Sequence, residues 1–316
     1  MFNFVLAPDH AALARVWIVG CGAMGGALLA RWIESGLPAA QVTVIDPDPR
    51  GLPAGFAGTV VPDAISAWGH APDPTLVVLG IKPQLLPRLA PGLSRLLQPA
   101  PLLLSMLAGV RTDTLAALFP GAPIVRLMPN TPARIGRGVT AMFARGASEA
   151  DRAAAGWLLE QAGSVLWLEG EDGFDAVTAV SGSGPAYVYR FIEALAAAAE
   201  AQGLPADVAL RLAVESCAGA AELARQSGLH PSVLREQVTS PNGTTAAGLD
   251  RLDGDGLLSS LMRTTVKAAT DRSRELAAAA EADIGPISAR PGPGAPLSGP
   301  QGTVRRVPGK RPVRLV

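Results

Sequence analysis

The sequence predicts an α/β chain in two parts, a doubly wound parallel sheet followed by an all-α half. Two observations carry the prediction. Short apolar runs alternate with helical stretches over the first 150 residues, the pattern of a parallel sheet covered on both faces. Beyond about residue 150 the β-branched runs fade, and long alanine-rich segments punctuated by proline and glycine take over.

The expected strands are VWIVG (16–20), QVTVID (41–46), TLVVLGI (75–81), PLLLSML (101–107) and PIVRLM (123–128). In the second half Pro185 stands at a first helical position, and the run that follows it stops at Gly203. Pro205 opens a helix ending at Gly228, Pro231 opens a short one, and Gly256 precedes a last long helix. The apolar faces of these helices exceed what one small bundle can hide. A homodimer or higher homo-oligomer through the helical half is therefore expected. The resulting domain plan is an N-terminal extension (1–14), a sheet domain (15–150), a helical dimerisation and substrate domain (151–284) and a tail (285–316). The tail is rich in proline and glycine, carries Arg290, Arg305, Arg306, Lys310, Arg311 and Arg314 without one acid, and is expected to be disordered.

Composition excludes several classes of function. With 27 basic and 27 acidic residues and 4% aromatics, nothing points to nucleic acid or a membrane surface. No segment offers the ~18 uninterrupted apolar residues of a membrane span, and the N-terminus lacks the basic region of a secretory leader. Cys21 and Cys217 are far apart, which reads as a reduced, cytoplasmic protein. The three histidines, His10, His70 and His230, stand apart from one another and from both thiols, so no metal site is expected.

The strongest local motif is Gly20-x-Gly22-x-x-Gly25, directly after a strand and at the start of a helix. Gly20 allows the tight turn, Gly22 lets the backbone approach a pyrophosphate, and Gly25 permits close helix–strand contact. With Cys21, Ala23 and Met24 between them, these residues form the expected phosphate loop of a Rossmann-type dinucleotide-binding domain. Asp46 ends the second strand about 20 residues on. It could accept a hydrogen bond from a ribose 2′-OH, which favours NADH, whereas Arg50 could meet the 2′-phosphate of NADPH. The sequence leaves both open. Gly80-Ile81-Lys82-Pro83 and Leu107-Ala108-Gly109 follow later strands at carboxyl ends, where such sheets bind ligands. Cys21, beside a helix N-terminus, is either a thiol of lowered pKa or a small spacer.

VTSPNGTTAAGL (238–249) raises a separate question, because it sets Ser240, Thr244 and Thr245 around Asn242-Gly243 at a helix entrance. This is both a helix N-cap and a set of unpaired donors suited to an anion. MPNTP (128–132) restricts the chain after a strand and reads as a rigid floor or hinge, with Arg126 able to pair with phosphate or with a partner helix.

Taken in order, GCGAMG, IKPQ, LAGV, RLMPNTPARIGRGVTA, DAVTAVSGSGPAYVYRFIEAL and VTSPNGTTAAGL resemble the pyrroline-5-carboxylate reductase family over residues 15 to about 280. The resemblance implies an NADPH- or NADH-dependent reduction of the C=N bond of 1-pyrroline-5-carboxylate to L-proline. It also implies an interleaved helical dimer, with each site between the nicotinamide of one subunit and the hydroxyl-bearing turn of the other. Cofactor contacts then fall on residues 20–25, on Gly80, Ile81, Lys82 and Pro83, and on Leu107, Ala108 and Gly109. Substrate contacts fall on Val238, Ser240, Gly243 and Thr244, with Pro185 nearby and Thr245 as the catalytic hydroxyl at the ring nitrogen. Two departures stand out. Asn242 replaces a glycine, a change asparagine tolerates at positive φ, and Gly80 replaces an alanine, which reads as minor. A β-hydroxyacid dehydrogenase would need an interdomain lysine, and none lies between Lys82 and Lys267. A nucleotide-binding sensor without turnover stays as the alternative.

Overall fold

The computed structural model describes residues 13–284. The expected tail, and all of the N-terminal extension except Leu13 and Ala14, lie outside the described residues. Within them the chain divides into two compact units. One runs to Gly182 and resumes at Asp271, and the other is Ser183–Thr270.

The first unit is built on one eight-stranded sheet. In chain order its elements are β1 (Val16–Val19), α1 (Ala23–Glu34), β2 (Val42–Ile45), β3 (Thr59–Val61), α2 (Ala64–His70), β4 (Leu76–Leu79), α3 (Leu86–Leu96), β5 (Leu102–Ser105), α4 (Thr112–Leu118), β6 (Ile124–Met128), β7 (Gly138–Arg145), α5 (Glu149–Glu160), β8 (Gly163–Trp167) and α6 (Phe174–Val177). The strand order is β3-β2-β1-β4-β5-β6-β7-β8. The first six strands are parallel, β7 runs antiparallel to β6, and β8 is parallel to β7.

Strands β1, β2, β4 and β5 are buried at every position, as expected for a sheet covered on both sides. Alternate residues feed two cores. Val16, Ile18, Val44, Val78 and Leu104 pack with Leu28, Leu29 and Trp32 of α1 and Leu158 of α5. Trp17, Val19, Val77, Leu79 and Leu103 pack on the other face with Leu86 and Leu93 of α3 and Leu115 of α4. Each fully buried aliphatic side chain contributes about 1.5–3 kcal/mol. The Trp32 indole N–H donates to the Leu158 carbonyl at 2.7 Å and ties α1 to α5.

Five of the eight strands stand where the sequence puts them. The change from sheet to helix does not fall near residue 150, because β8 extends the sheet to Trp167 and the compact units divide at 182/183. Burial accounts for the difference. Strand β8 is an edge strand, buried on neither face, with Leu166 and Trp167 exposed, so it lacks the continuous apolar run that marks the central strands.

The second unit contains α7 (Gly184–Ala201), α8 (Ala206–Ser227), α9 (Pro231–Gln237), α10 (Thr244–Asp253) and the first half of α11 (Leu257–Ile284). Starts and stops follow local chemistry. Pro185 lies in the first turn of α7, Gly203 follows that helix at φ +93°, Gly228 ends α8 in the left-handed region, and Pro231 opens α9. Pro205 is the residue before α8 rather than its first. Among the described residues no helix is long and apolar enough to cross a membrane.

Candidate active site

The glycine loop sits at the carboxyl end of β1, beside the point where strand order reverses between β1 and β4. Open α/β sheets form their ligand crevice there. Gly20 has φ +93°, and a Cβ on it would lie 2.8 Å from the Gly80 carbonyl carbon and oxygen. A Cβ on Gly25 would lie 2.7 Å from the Gly20 oxygen, so the first turn of α1 packs directly on the loop. At Gly22, by contrast, nothing lies within 4 Å of where a Cβ would be. Gly22 precedes α1 and no side chain caps it, so the first helical N–H groups, from exposed Ala23 and half-buried Met24, lack a side-chain acceptor. Uncapped backbone donors at a helix N-terminus suit a pyrophosphate.

Asp46 staples this loop to β2. One carboxylate oxygen accepts the Cys21 N–H at 2.7 Å, and the other accepts the Asp48 N–H at 2.8 Å. The Cys21 side chain is buried in the core behind the loop. Burial, and then the Asp46 charge, push its thiol up to about 11. Of the two readings of Cys21, the spacer is the one the surroundings support, since a helix N-terminus does not offset desolvation here.

The segment 80–83 leaves β4 with Gly80 against the glycine loop. A Cβ on Gly80 would lie 2.7 Å from the Gly20 oxygen and 3.0 Å from the Met106 methyl carbon. Glycine in place of alanine is therefore not a minor change in this chain, because the two loops approach backbone to backbone. Ile81 is half-buried, Lys82 is exposed, and Pro83 opens a short 3-10 turn. In the loop after β5, Leu107 is buried in the core with its N–H on the Ser105 hydroxyl at 3.4 Å, while Ala108 is exposed. Gly109 has φ +77°, and a Cβ there would lie 2.7 Å from the Ala277 Cα on α11.

Two polar side chains beneath these loops have defined partners that the sequence did not assign. Asn130 of the MPNTP segment accepts the Val139 N–H at 2.9 Å and donates to the Ser181 carbonyl at 3.1 Å. It thereby joins the end of β6, the start of β7 and the π-helical turn Thr178–Gly182. Arg126, read as a partner for phosphate or for a second helix, has its acid within its own chain. It is buried, pairs with Glu171 at 2.8 Å, and lies over the Phe174 ring at 4.2 Å. Glu171 also accepts the Thr112 N–H at 3.0 Å and its hydroxyl at 2.8 Å. A signal existed, since an arginine inside a buried strand requires a buried acid, but nothing in sequence spacing singles out Glu171.

In the second unit, the turn before α10 places Asn242 at φ +59°, so the turn survives the loss of glycine. Gly243 precedes α10, and no side chain caps it. Its space is set by Ser240, whose hydroxyl oxygen would lie 2.7 Å from a Cβ at 243. Ser240, Thr244 and Thr245 are exposed, as is Val238, and Pro185 is half-buried in the first turn of α7. Thr244 opens the helix, but the free N–H groups around it have no hydroxyl cap. Among the described residues no group of three or more His, Cys, Asp or Glu side chains could hold a metal ion.

Comparison with known proteins bears on the whole arrangement. Residues 171–276 match the model described as pyrroline-5-carboxylate reductase dimerisation, and residues 15–109 match that described as NADP oxidoreductase, coenzyme F420-dependent. A pyrroline-5-carboxylate reductase of Pseudomonas aeruginosa is 39% identical over 83% of this chain and 97% of its own length. That decides the assignment. The chain belongs to the pyrroline-5-carboxylate reductase family. A member from Glycine max is 38% identical over 85% of this chain and 98% of its own length. A solved pyrroline-5-carboxylate reductase of Coxiella burnetii superposes with a TM-score of 0.77 at 29% identity, covering 84% of this chain and 98% of that one. In this family member the dimerisation match begins at Glu171, the buried acid under Arg126, and the helical domain supports homo-oligomerisation.

Proposed function

We propose that this chain works as a pyrroline-5-carboxylate reductase through two donor-lined helix entrances, that of α1 for a dinucleotide and that of α10 for the substrate anion. The reaction is reduction of the C=N bond of 1-pyrroline-5-carboxylate by NAD(P)H, giving L-proline, the last step of proline biosynthesis. When bound, the reduced nicotinamide supplies the hydride. The chain's own residues bind and orient the substrate, which takes the hydride as its protonated iminium and so becomes the neutral amine.

The backbone of Gly20 to Gly25, with the strand-end segments Gly80–Pro83 and Leu107–Gly109, holds the dinucleotide. The N–H groups of Thr244 and Thr245 and the Ser240 hydroxyl hold the substrate carboxylate, with Val238 and Pro185 as its walls. Thr245 Oγ1 reaches the ring nitrogen and stabilises its developing amine character. No nucleophile is required, because protonation of the imine makes its carbon electrophilic. Orientation at ~3–3.5 Å between reacting atoms then supplies several kcal/mol of the rate enhancement. The single observation that carries the substrate reading is the uncapped entrance of α10, with Asn242 in the left-handed region and three exposed hydroxyls around it. Small-molecule substrate and further copies of the chain are the partners. With 27 basic and 27 acidic residues the chain has no net charge that favours nucleic acid, and the free thiols fit a cytoplasmic location.

The experiment is cofactor oxidation, followed at the absorbance of the reduced nicotinamide, on addition of pyrroline-5-carboxylate, with proline measured as product. Thr245→Ala is expected to lower kcat while leaving dinucleotide affinity near the native value, since the lost contact strengthens only as the nitrogen changes character. Normal turnover in Thr245→Ala would remove that hydroxyl from the mechanism.

A further inference from the structure

The carboxyl end of β2 carries three charged side chains at the rim of the glycine loop, Asp46, Asp48 and Arg50. Asp46 is half-buried and held by the Cys21 and Asp48 N–H groups, one on each oxygen. A carboxylate has about four acceptor sites, so this one keeps capacity for two more donors and has no donor of its own. It is a built acceptor for hydroxyl groups and a repulsive wall for a phosphate. The backbone behind it is tight. A Cβ on Gly51 would lie 2.1 Å from the Gly22 oxygen, and the Gly51 N–H donates to the Cys21 carbonyl at 2.9 Å. The rim cannot withdraw from the loop without breaking those contacts.

Arg50 is the one cation of the rim, and its guanidinium lies 2.6 Å from the Asp48 carboxylate. Both side chains are exposed, so the pair itself is weak. The charge balance is what decides. Two carboxylates against one guanidinium leave the rim with net negative charge, and the acid nearest the glycine loop is the one whose position is fixed.

We infer that this chain selects NADH over NADPH, with the stapled Asp46 carboxylate as the discriminating group and Arg50 neutralised by Asp48. The inference rests on the dinucleotide reading of the glycine loop. In a doubly wound sheet an acid about 20 residues beyond the glycine loop accepts from the ribose 2′-OH, and a 2′-phosphate needs a free arginine instead. Here the acceptor is in place and the arginine is shared.

The test is equilibrium binding by calorimetry of NADH and of NADPH to the full chain at low ionic strength, with kcat/KM for each cofactor beside it. NADH is expected to bind at least about tenfold more tightly, and added salt to narrow the gap, since it screens the repulsion. Asp46→Asn keeps an acceptor for the Cys21 N–H and is expected to raise NADPH affinity while weakening NADH. Because Asp46 also staples the loop, Asp48→Asn is the second variant. Its side chain pairs with Arg50 alone, and freeing that guanidinium is expected to strengthen NADPH binding several-fold. NADPH binding as tightly as NADH, or an unchanged ratio in both variants, would overturn the preference while leaving the reductase intact. Failure of either dinucleotide to bind would overturn the glycine-loop reading and the preference together.

Discussion

At the scale of single residues, Cys21 and Asn130 illustrate what one side chain decides. The Cys21 thiol has a folded pKa of about 11 against an ordinary 9.0, raised by burial and by the Asp46 carboxylate. A raised pKa means that the folded state holds the proton more tightly. The associated stability is therefore complete below pH 9 and is lost as pH climbs through 11. Urea midpoints measured from pH 8.5 upward, about half a unit below the unfolded thiol's titration, should fall more steeply in the native chain than in Cys21→Ala. Parallel curves would show that the thiol titrates normally. Cys21 was legible as a loop residue, but its environment was not, because a helix N-terminus and a core wall leave the same mark in sequence. Asn130 was legible only as part of a stiff MPNTP segment. Its partners, Val139 and Ser181, lie 9 and 51 residues away, and long-range hydrogen bonds of one amide leave no periodicity to read.

Elements were legible in proportion to their burial. Strands β1, β2, β4, β5 and β6 are apolar runs because both faces are covered. Strand β3 has three residues, and β8 is an exposed edge, so neither produces such a run. Strand β7 is interrupted by half-buried positions and runs against its neighbour β6, which a pattern of alternating strand and helix does not anticipate. The close approach of the loop after β2 to α1 was likewise invisible, since it depends on two glycines 25 residues apart. A Cβ on Gly26 would lie 1.9 Å from the Gly51 carbonyl oxygen, a backbone atom that cannot swing aside. Gly26→Ala must displace that loop or tilt α1, at about 1–3 kcal/mol for an overpacked contact. It should also weaken dinucleotide binding, because the same loop carries Asp46 and Asp48. The control is Gly92→Ala inside α3, where nothing lies within 4 Å. That change should leave binding alone and stabilise by up to about 1 kcal/mol through helix propensity. Equal urea midpoints for the two variants would show that the crowding at Gly26 is relieved without cost.

For the whole molecule, the second unit is the part that cannot be understood as a single copy. Its helices α7 and α8 meet through alanines, with Ala196, Ala209 and Ala213 buried. Val188, Leu195, Leu210, Leu212, Leu257 and Leu261 are each at least 41% exposed. An α-helix with apolar residues on several faces is stable in water only when those faces are covered, and exposed patches of this extent mark an interaction surface. The dimerisation match over residues 171–276 covers this same stretch, so the covering surface is another copy of the chain. Folding and association are then one equilibrium. The thermal midpoint should rise with protein concentration, as it does for any chain stabilised by its own partner. Leu212→Asp places a charge at an exposed position of α8, inside the second unit. It should shift sedimentation toward smaller species and lower the midpoint. Dinucleotide binding should persist, because the glycine loop and Asp46 belong to the other unit. A midpoint independent of concentration across the micromolar range, together with monomeric sedimentation of the native chain, would mean that these apolar faces are covered by something other than a second copy.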